Sequence, residues 1–106
     1  MISEERLEKA LRFLAETDEQ AAEAKVSVSR REYVVDLYRR QMFLTETGNI
    51  EERKAKAETS SSVGNAMDQY LDTMLSWEKL KAKRATEELI VEVWRSLEAS
   101  RRQGRI

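Results

Sequence analysis

Apolar residues recur three and four residues apart along most of this chain, which is the spacing of one face of an α-helix. The first stripe consists of Leu7, Ala10, Leu11 and Leu14. Ser3 precedes it with a hydroxyl suited to cap a helix N-terminus. Thr17 and Gln20 have the spacing of a capping box. The pattern therefore predicts a helix over residues 4–16 and a break near residues 16–18.

A second apolar stripe predicts a helix over residues 18–47, closed by Gly48 in a left-handed conformation. Asn49 and Glu52 repeat the capping-box spacing and predict a short helix over residues 50–58. The polar residues 59–62 then indicate a connector to a last helix over residues 63–103.

The last helix has a narrow apolar face over residues 63–77 and a wider apolar arc over residues 85–97. A narrow face suits one neighbouring helix and a wide arc suits two. We therefore expect a single all-α domain over residues 1–106. Its fold is a long antiparallel, coiled-coil-like hairpin, with the shorter N-terminal helix packed at its open end. In the alternative arrangement the first two helices form one rod, and a second chain supplies the missing neighbour.

Composition supports uninterrupted helices and argues against several kinds of chemistry. The 106 residues include three glycines and no proline, histidine or cysteine. The commonest general base, the thiol nucleophile and the soft metal ligands are therefore missing, and no glycine-rich phosphate loop is present. We expect no enzymatic activity, cofactor, metal or small-molecule substrate. No disulfide, signal peptide or transmembrane run is visible, so a cytoplasmic protein is expected, with no membrane partner.

Basic residues cluster although the net charge is only −1. Such clusters are candidates for contacts with a nucleic-acid backbone. In the expected hairpin, Arg30 and Arg31 lie opposite a group in the last helix. The candidate contacts are Arg30, Arg31, Lys79, Lys81, Lys83, Arg84, Arg95, Arg101, Arg102 and Arg105. Acidic residues interrupt every cluster and no aromatic platform accompanies them, which favours ordinary solvated helix flanks.

Four aromatic residues lie away from the main apolar faces and mark candidate protein contacts. Trp77 and Trp94 are 17 positions apart, so in a straight helix they cannot both point into one two-helix seam. Phe13 and Phe43 also lie off their stripes. These residues are expected to pack against the first helix or to form an exposed patch for another chain. A homo-oligomer or a partner protein is therefore favoured over a monomer.

Three segments also resemble small helical proteins of tailed bacteriophages and prophages, which are often encoded near recombination or replication genes. They are residues 14–18, residues 48–58, and residues 77–84 leading into 90–104. The resemblance covers most of the chain but implies no site residues.

The expected function is that of a non-enzymatic phage accessory protein that acts by protein–protein interaction. It would belong to a DNA recombination or replication module, or would inhibit a host factor, in the cytoplasm of the host cell. Direct DNA binding and a structural role in the virion are the alternatives.

Overall fold

The computed structural model describes residues 1–104, which form three α-helices and, within that range, no strand. Helix α1 spans Glu4–Thr45, α2 spans Ile50–Glu58 and α3 spans Ser61–Arg102. The two long helices pack together and the short one accompanies them. The predicted all-α helical hairpin is therefore confirmed.

The predicted break near residues 16–18 is wrong, because α1 runs through it without interruption. Thr17 does not cap a second helix. Its hydroxyl donates to the Phe13 carbonyl at 2.7 Å, a bond compatible with an unbroken helix. The same oxygen accepts from Arg84 Nη1 at 2.6 Å. Without proline or glycine to stop the helix, this contact with α3 replaces the cap, so no separate N-terminal helix exists.

The other predicted helix starts are confirmed by their caps. The Ser3 hydroxyl accepts from the Arg6 amide at 3.0 Å. The Asn49 side chain accepts from the Glu52 amide at 2.9 Å. Ser60 accepts from the Val63 amide at 3.3 Å, so α3 starts slightly before the predicted residue 63. These side chains satisfy amide groups that have no partner inside a helix.

Two glycines should respond oppositely to alanine. Gly48 has a φ of 112°, and an added Cβ would meet the Glu52 side chain, whereas an added Cβ at Gly64 meets nothing within 4 Å. Gly48→Ala is expected to lower the free energy of unfolding by about 1–3 kcal/mol. Gly64→Ala, inside α3, should raise it by up to about 1 kcal/mol. Urea unfolding of both variants tests this, and a stabilised Gly48→Ala would contradict the strained turn.

The chain divides into two compact units, each with a thin core. The terminal unit comprises Met1–Ala22 with Glu78–Ile106, and the corner unit comprises Glu23–Trp77. The buried apolar residues of the described chain are all small: Ala10, Ala21, Val35, Ala57, Val63 and Ala66. Among the described residues, no large side chain is fully buried. Many larger apolar side chains are consequently left at the surface.

Candidate protein-binding surfaces

An apolar groove lies in the corner unit, between the end of α1 and α2. Its volume is about 540 Å³, and its lining is Arg39, Arg40, Phe43, Leu44, Lys54, Ala57 and Glu58. Ala57 is buried in the floor, while Leu44 is 78% exposed at the edge. We call this feature the corner groove.

The turn between α1 and α2 positions the groove. Lys56 Nζ donates to the Thr47 carbonyl at 2.9 Å, and Arg53 Nε donates to the Gly48 carbonyl at 3.0 Å. The Arg53 guanidinium also lies 5.6 Å from the centre of the Phe43 ring. This is within the range of a cation–π contact. These contacts hold α2 against the end of α1 and keep Phe43 in place.

The rim of the groove carries three basic side chains, of which Arg39 forms salt bridges in the described part of the chain and Arg40 and Lys54 do not. Arg39 Nε lies 2.6 Å from a carboxylate oxygen of Glu58, and its Nη1 lies 3.1 Å from Asp36. Arg40 and Lys54 are exposed, and within residues 1–104 neither forms a salt bridge. The charge of Arg39 is therefore balanced locally, whereas the charges of Arg40 and Lys54 remain available to a ligand.

The four aromatic residues predicted as contacts do not form one patch. Phe43 lines the corner groove, whereas Lys83 Nζ covers Phe13 at 4.8 Å from the ring centre. Trp77 and Trp94 are both half-buried. They belong to one series on α3, spaced alternately three and four residues apart, which also contains the half-buried Leu80.

That the two tryptophans do not share one two-helix seam stays a prediction. The half-buried residues of this series follow the 3.5-residue period of paired helices. With that period, the angle between Trp77 and Trp94 around the helix axis is smaller than with the straight-helix period of 3.6.

The terminal unit contains a polar contact between its two helices, centred on Arg84. Arg84 Nη1 donates to the Leu14 carbonyl at 2.9 Å as well as to Thr17, and Nη2 donates to Asp18 at 3.4 Å. Its side chain is only 16% exposed. The donors of Arg84 are therefore directed at α1, and the side chain packs between the two helices.

A second polar contact in this unit joins Arg6 and Glu87 through one hydrogen bond and a second close ion-pair contact. Arg6 Nη2 donates to Glu87 Oε1 at 2.8 Å, and Nη1 lies 2.8 Å from Oε2. The hydrogen bond from Arg6 holds the pKa of Glu87 below its ordinary value of 4.5, and desolvation opposes this shift only in part. The carboxylate form of Glu87 therefore stabilises the folded state.

This ion pair predicts a pH dependence of stability. Because the folded-state pKa is lowered, the contribution of Glu87 is fully present above pH 4.5 and disappears as the pH falls through the folded-state value. In Glu87→Gln, the fall in melting temperature on acidification should be smaller than in the unchanged protein. Glu88→Gln, at an exposed neighbouring position, should keep the original slope. Equal slopes in all three proteins would contradict the assignment.

The remaining basic candidates among residues 1–104 are exposed but dispersed. Arg31 donates to Gln69 at 2.7 Å, so the α1–α3 register does not place Arg30 and Arg31 opposite Lys79–Arg84. That predicted pairing is wrong. Lys79, Lys81, Lys83 and Arg102 are exposed. Arg95 and Arg101 lie 3.7 Å and 3.3 Å from Glu92 and Glu98. Arg105 lies outside the described residues.

The sequence pattern did not predict that several large apolar residues of the long helices are exposed. In the corner unit these include Val26, Tyr33 and Leu37 on α1, and Leu71 and Leu75 on α3. In the terminal unit Leu89 is 63% exposed. Val26, Tyr33 and Leu37 are spaced seven and four residues apart, and Leu71 and Leu75 four apart. This second helical spacing is the signal that could have found them.

Comparison with protein-family models, curated protein sequences and solved structures gives no match. Among residues 1–104, no group of three or more acidic residues is arranged to hold a metal ion. The helices of that range also include none long and apolar enough to cross a bilayer. With no relative to assign a role, the corner groove and the exposed aliphatic residues are the features from which a function can be argued.

Proposed function

We propose that this chain is a non-enzymatic adaptor that binds a partner protein in the corner groove. The observation that carries the proposal is the apolar groove, at whose edge Leu44 is 78% exposed. Beside it lie Arg40 and Lys54, which form no salt bridge in the described part of the chain. Apolar surface of this kind is costly to leave in water and marks interaction sites on soluble proteins.

The lining of the groove favours a particular kind of partner. Phe43, Leu44 and Ala57 provide apolar contacts, which suit a buried aliphatic or aromatic side chain. Arg40 and Lys54 suit carboxylates flanking that side chain. We therefore propose an acidic segment with an apolar anchor as the ligand. A nucleic-acid backbone would satisfy the two cations but would leave the apolar floor uncovered.

The resemblance to phage and prophage proteins supports a setting for this adaptor. The partner would then be a phage recombination or replication protein, or a host protein that the adaptor inhibits, in the host cytoplasm. DNA binding through the dispersed basic residues remains the alternative. Arg84, the most buried of them, is engaged with α1, so the groove has the stronger support.

The proposal predicts that Leu44→Glu abolishes capture of the partner. Tagged protein would be used to recover cross-linked partners from phage-infected cells, with Leu89→Glu as the matched control because Leu89 is an exposed leucine of the terminal unit. The partner should be recovered with the unchanged protein and with the control, but not with Leu44→Glu.

Calorimetry with the purified partner then gives the loss of binding affinity caused by Leu44→Glu. Loss of an anchoring contact costs about 2 kcal/mol or more, which corresponds to an affinity reduced by roughly 30-fold. Lys54→Glu should weaken binding less and make it less sensitive to salt. A partner that binds Leu44→Glu as tightly as the unchanged protein would contradict the proposal.

A further inference from the structure

We infer that the corner unit associates head to tail with a second copy of this chain through two complementary stripes. The basic stripe lies on α1 and consists of Val26, Arg30, Tyr33 and Leu37. The acidic stripe lies on α3 and consists of Asp68, Leu71, Asp72 and Leu75. The basic stripe of one copy packs against the acidic stripe of the next.

The basic stripe has the geometry of an unpartnered helix-packing face. Its members are spaced four, three and four residues apart, as in the seam of a coiled coil. Val26 is 55% exposed and Tyr33 is 62% exposed. Arg30 is exposed and, within the described part of the chain, forms no salt bridge. The stripe therefore presents apolar side chains around an uncompensated positive charge.

The acidic stripe is its counterpart on the other long helix. Leu71, Asp72 and Leu75 follow Asp68 by three, four and seven residues, so all four lie on one helical face. Leu71 and Leu75 are 51% and 54% exposed. Asp68 and Asp72 are exposed, and residues 1–104 contain no salt bridge to either. This stripe presents apolar side chains between negative charges.

Charge selects which stripes meet. A symmetric contact between two basic stripes would oppose arginine to arginine, and one between two acidic stripes would oppose aspartates. Like charges brought together at an interface are strongly unfavourable. Contact between a basic and an acidic stripe buries the same kind of apolar surface and pairs opposite charges. Each stripe lies on the side of its helix opposite a buried residue, Val35 on α1 and Ala66 on α3. The two stripes therefore face in different directions, and one partner molecule does not cover both. The contact is then heterologous and repeats into a ring or filament.

This association is independent of the proposed partner site. No residue of either stripe lines the corner groove. A groove variant such as Lys54→Glu should therefore lose affinity for the partner without changing the mass of the assembly. Stripe variants should behave in the opposite way, so failure of one proposal is distinguishable from failure of the other.

Light scattering and sedimentation of the full chain test the inference. The mass should rise with protein concentration beyond that of a dimer and fall as salt is added. Tyr33→Gln with Leu37→Gln removes two of the three apolar side chains of the basic stripe, and Leu71→Gln with Leu75→Gln removes both of those of the acidic stripe. Glutamine keeps helix propensity high, and these positions are exposed. Each double variant should associate at least about tenfold more weakly.

Mixing the two double variants gives the decisive result. Each retains the stripe that the other lacks, so the mixture should form a one-to-one dimer and nothing larger. A chain that stays monomeric at every concentration would overturn the inference, as would double variants that assemble like the unchanged protein. A mixture that forms no dimer, although the unchanged chain assembles, would exclude the heterologous contact.

Discussion

Val35→Asp is expected to unfold the corner unit, with the largest loss of stability among the substitutions considered. Val35 is 2% exposed and belongs to a core in which every buried residue of the described chain is small and apolar. A carboxylate placed there has no buried basic partner, and an uncompensated buried charge costs about 3–5 kcal/mol. Since small domains have little stability in reserve, helical circular dichroism should be largely lost at 37 °C.

Val26→Asp is the matched control for this substitution. It makes the same change on the same helix, but Val26 is 55% exposed. Its melting temperature, measured in dilute solution, should stay close to that of the unchanged protein. Similar destabilisation by both substitutions would mean that Val35 does not lie in the core.

Arg84→Ala is expected to have the second largest effect, in the terminal unit. The guanidinium joins α3 to α1 through the Leu14 carbonyl and the Thr17 hydroxyl at 2.9 Å and 2.6 Å. Hydrogen bonds from a charged donor contribute more than neutral ones, and the aliphatic stem also loses its packing. We expect a loss of about 2–3 kcal/mol, equivalent to a fall of roughly 10 °C or more in melting temperature.

Two further variants separate the charge of Arg84 from its geometry. Arg84→Lys keeps the charge but cannot donate from two nitrogens at once, so it should recover only part of the stability. Arg95→Ala removes an arginine of the same helix that is 70% exposed, and should change the melting temperature little. An Arg84→Ala protein as stable as Arg95→Ala would contradict the role assigned to this contact.

The helical hairpin was predictable because strong local signals agree with it. Ser3 and Asn49 cap helices as expected, and Gly48 has a positive φ in the turn between Thr45, where α1 ends, and α2. These features depend on a few neighbouring residues, so a sequence pattern contains them. The absence of proline likewise allows helices of 42 residues.

The break at Thr17 was wrong for a reason that lies outside local sequence. A capping-box spacing shows only that a threonine is able to cap a helix. In the structure the Thr17 hydroxyl instead accepts a hydrogen bond from Arg84, 67 residues later in the chain. The register of α1 against α3, which the contact between Arg31 and Gln69 shows, was equally impossible to read from the sequence. Tertiary contacts decide between local alternatives that have similar energies.

The candidate site could be predicted only in part. Phe43 was identified from the sequence, and it lines the corner groove. Leu44 has no distinguishing signal in the sequence, and it is 78% exposed because it lies on the side of α1 opposite the buried Val35. Whether an aliphatic residue is buried or exposed depends on how much of its helix the neighbouring helix covers. A single sequence does not contain that information.

Mapping the partner on the protein by NMR tests the central claim most directly. Isotope-labelled protein would be titrated with the partner recovered by the unchanged chain, and its backbone amide signals followed. We predict shifts concentrated at the corner groove, at Phe43, Leu44, Lys54 and Ala57. Shifts confined to the terminal unit, around Trp94 or Arg101, with the groove signals unchanged, would contradict the account.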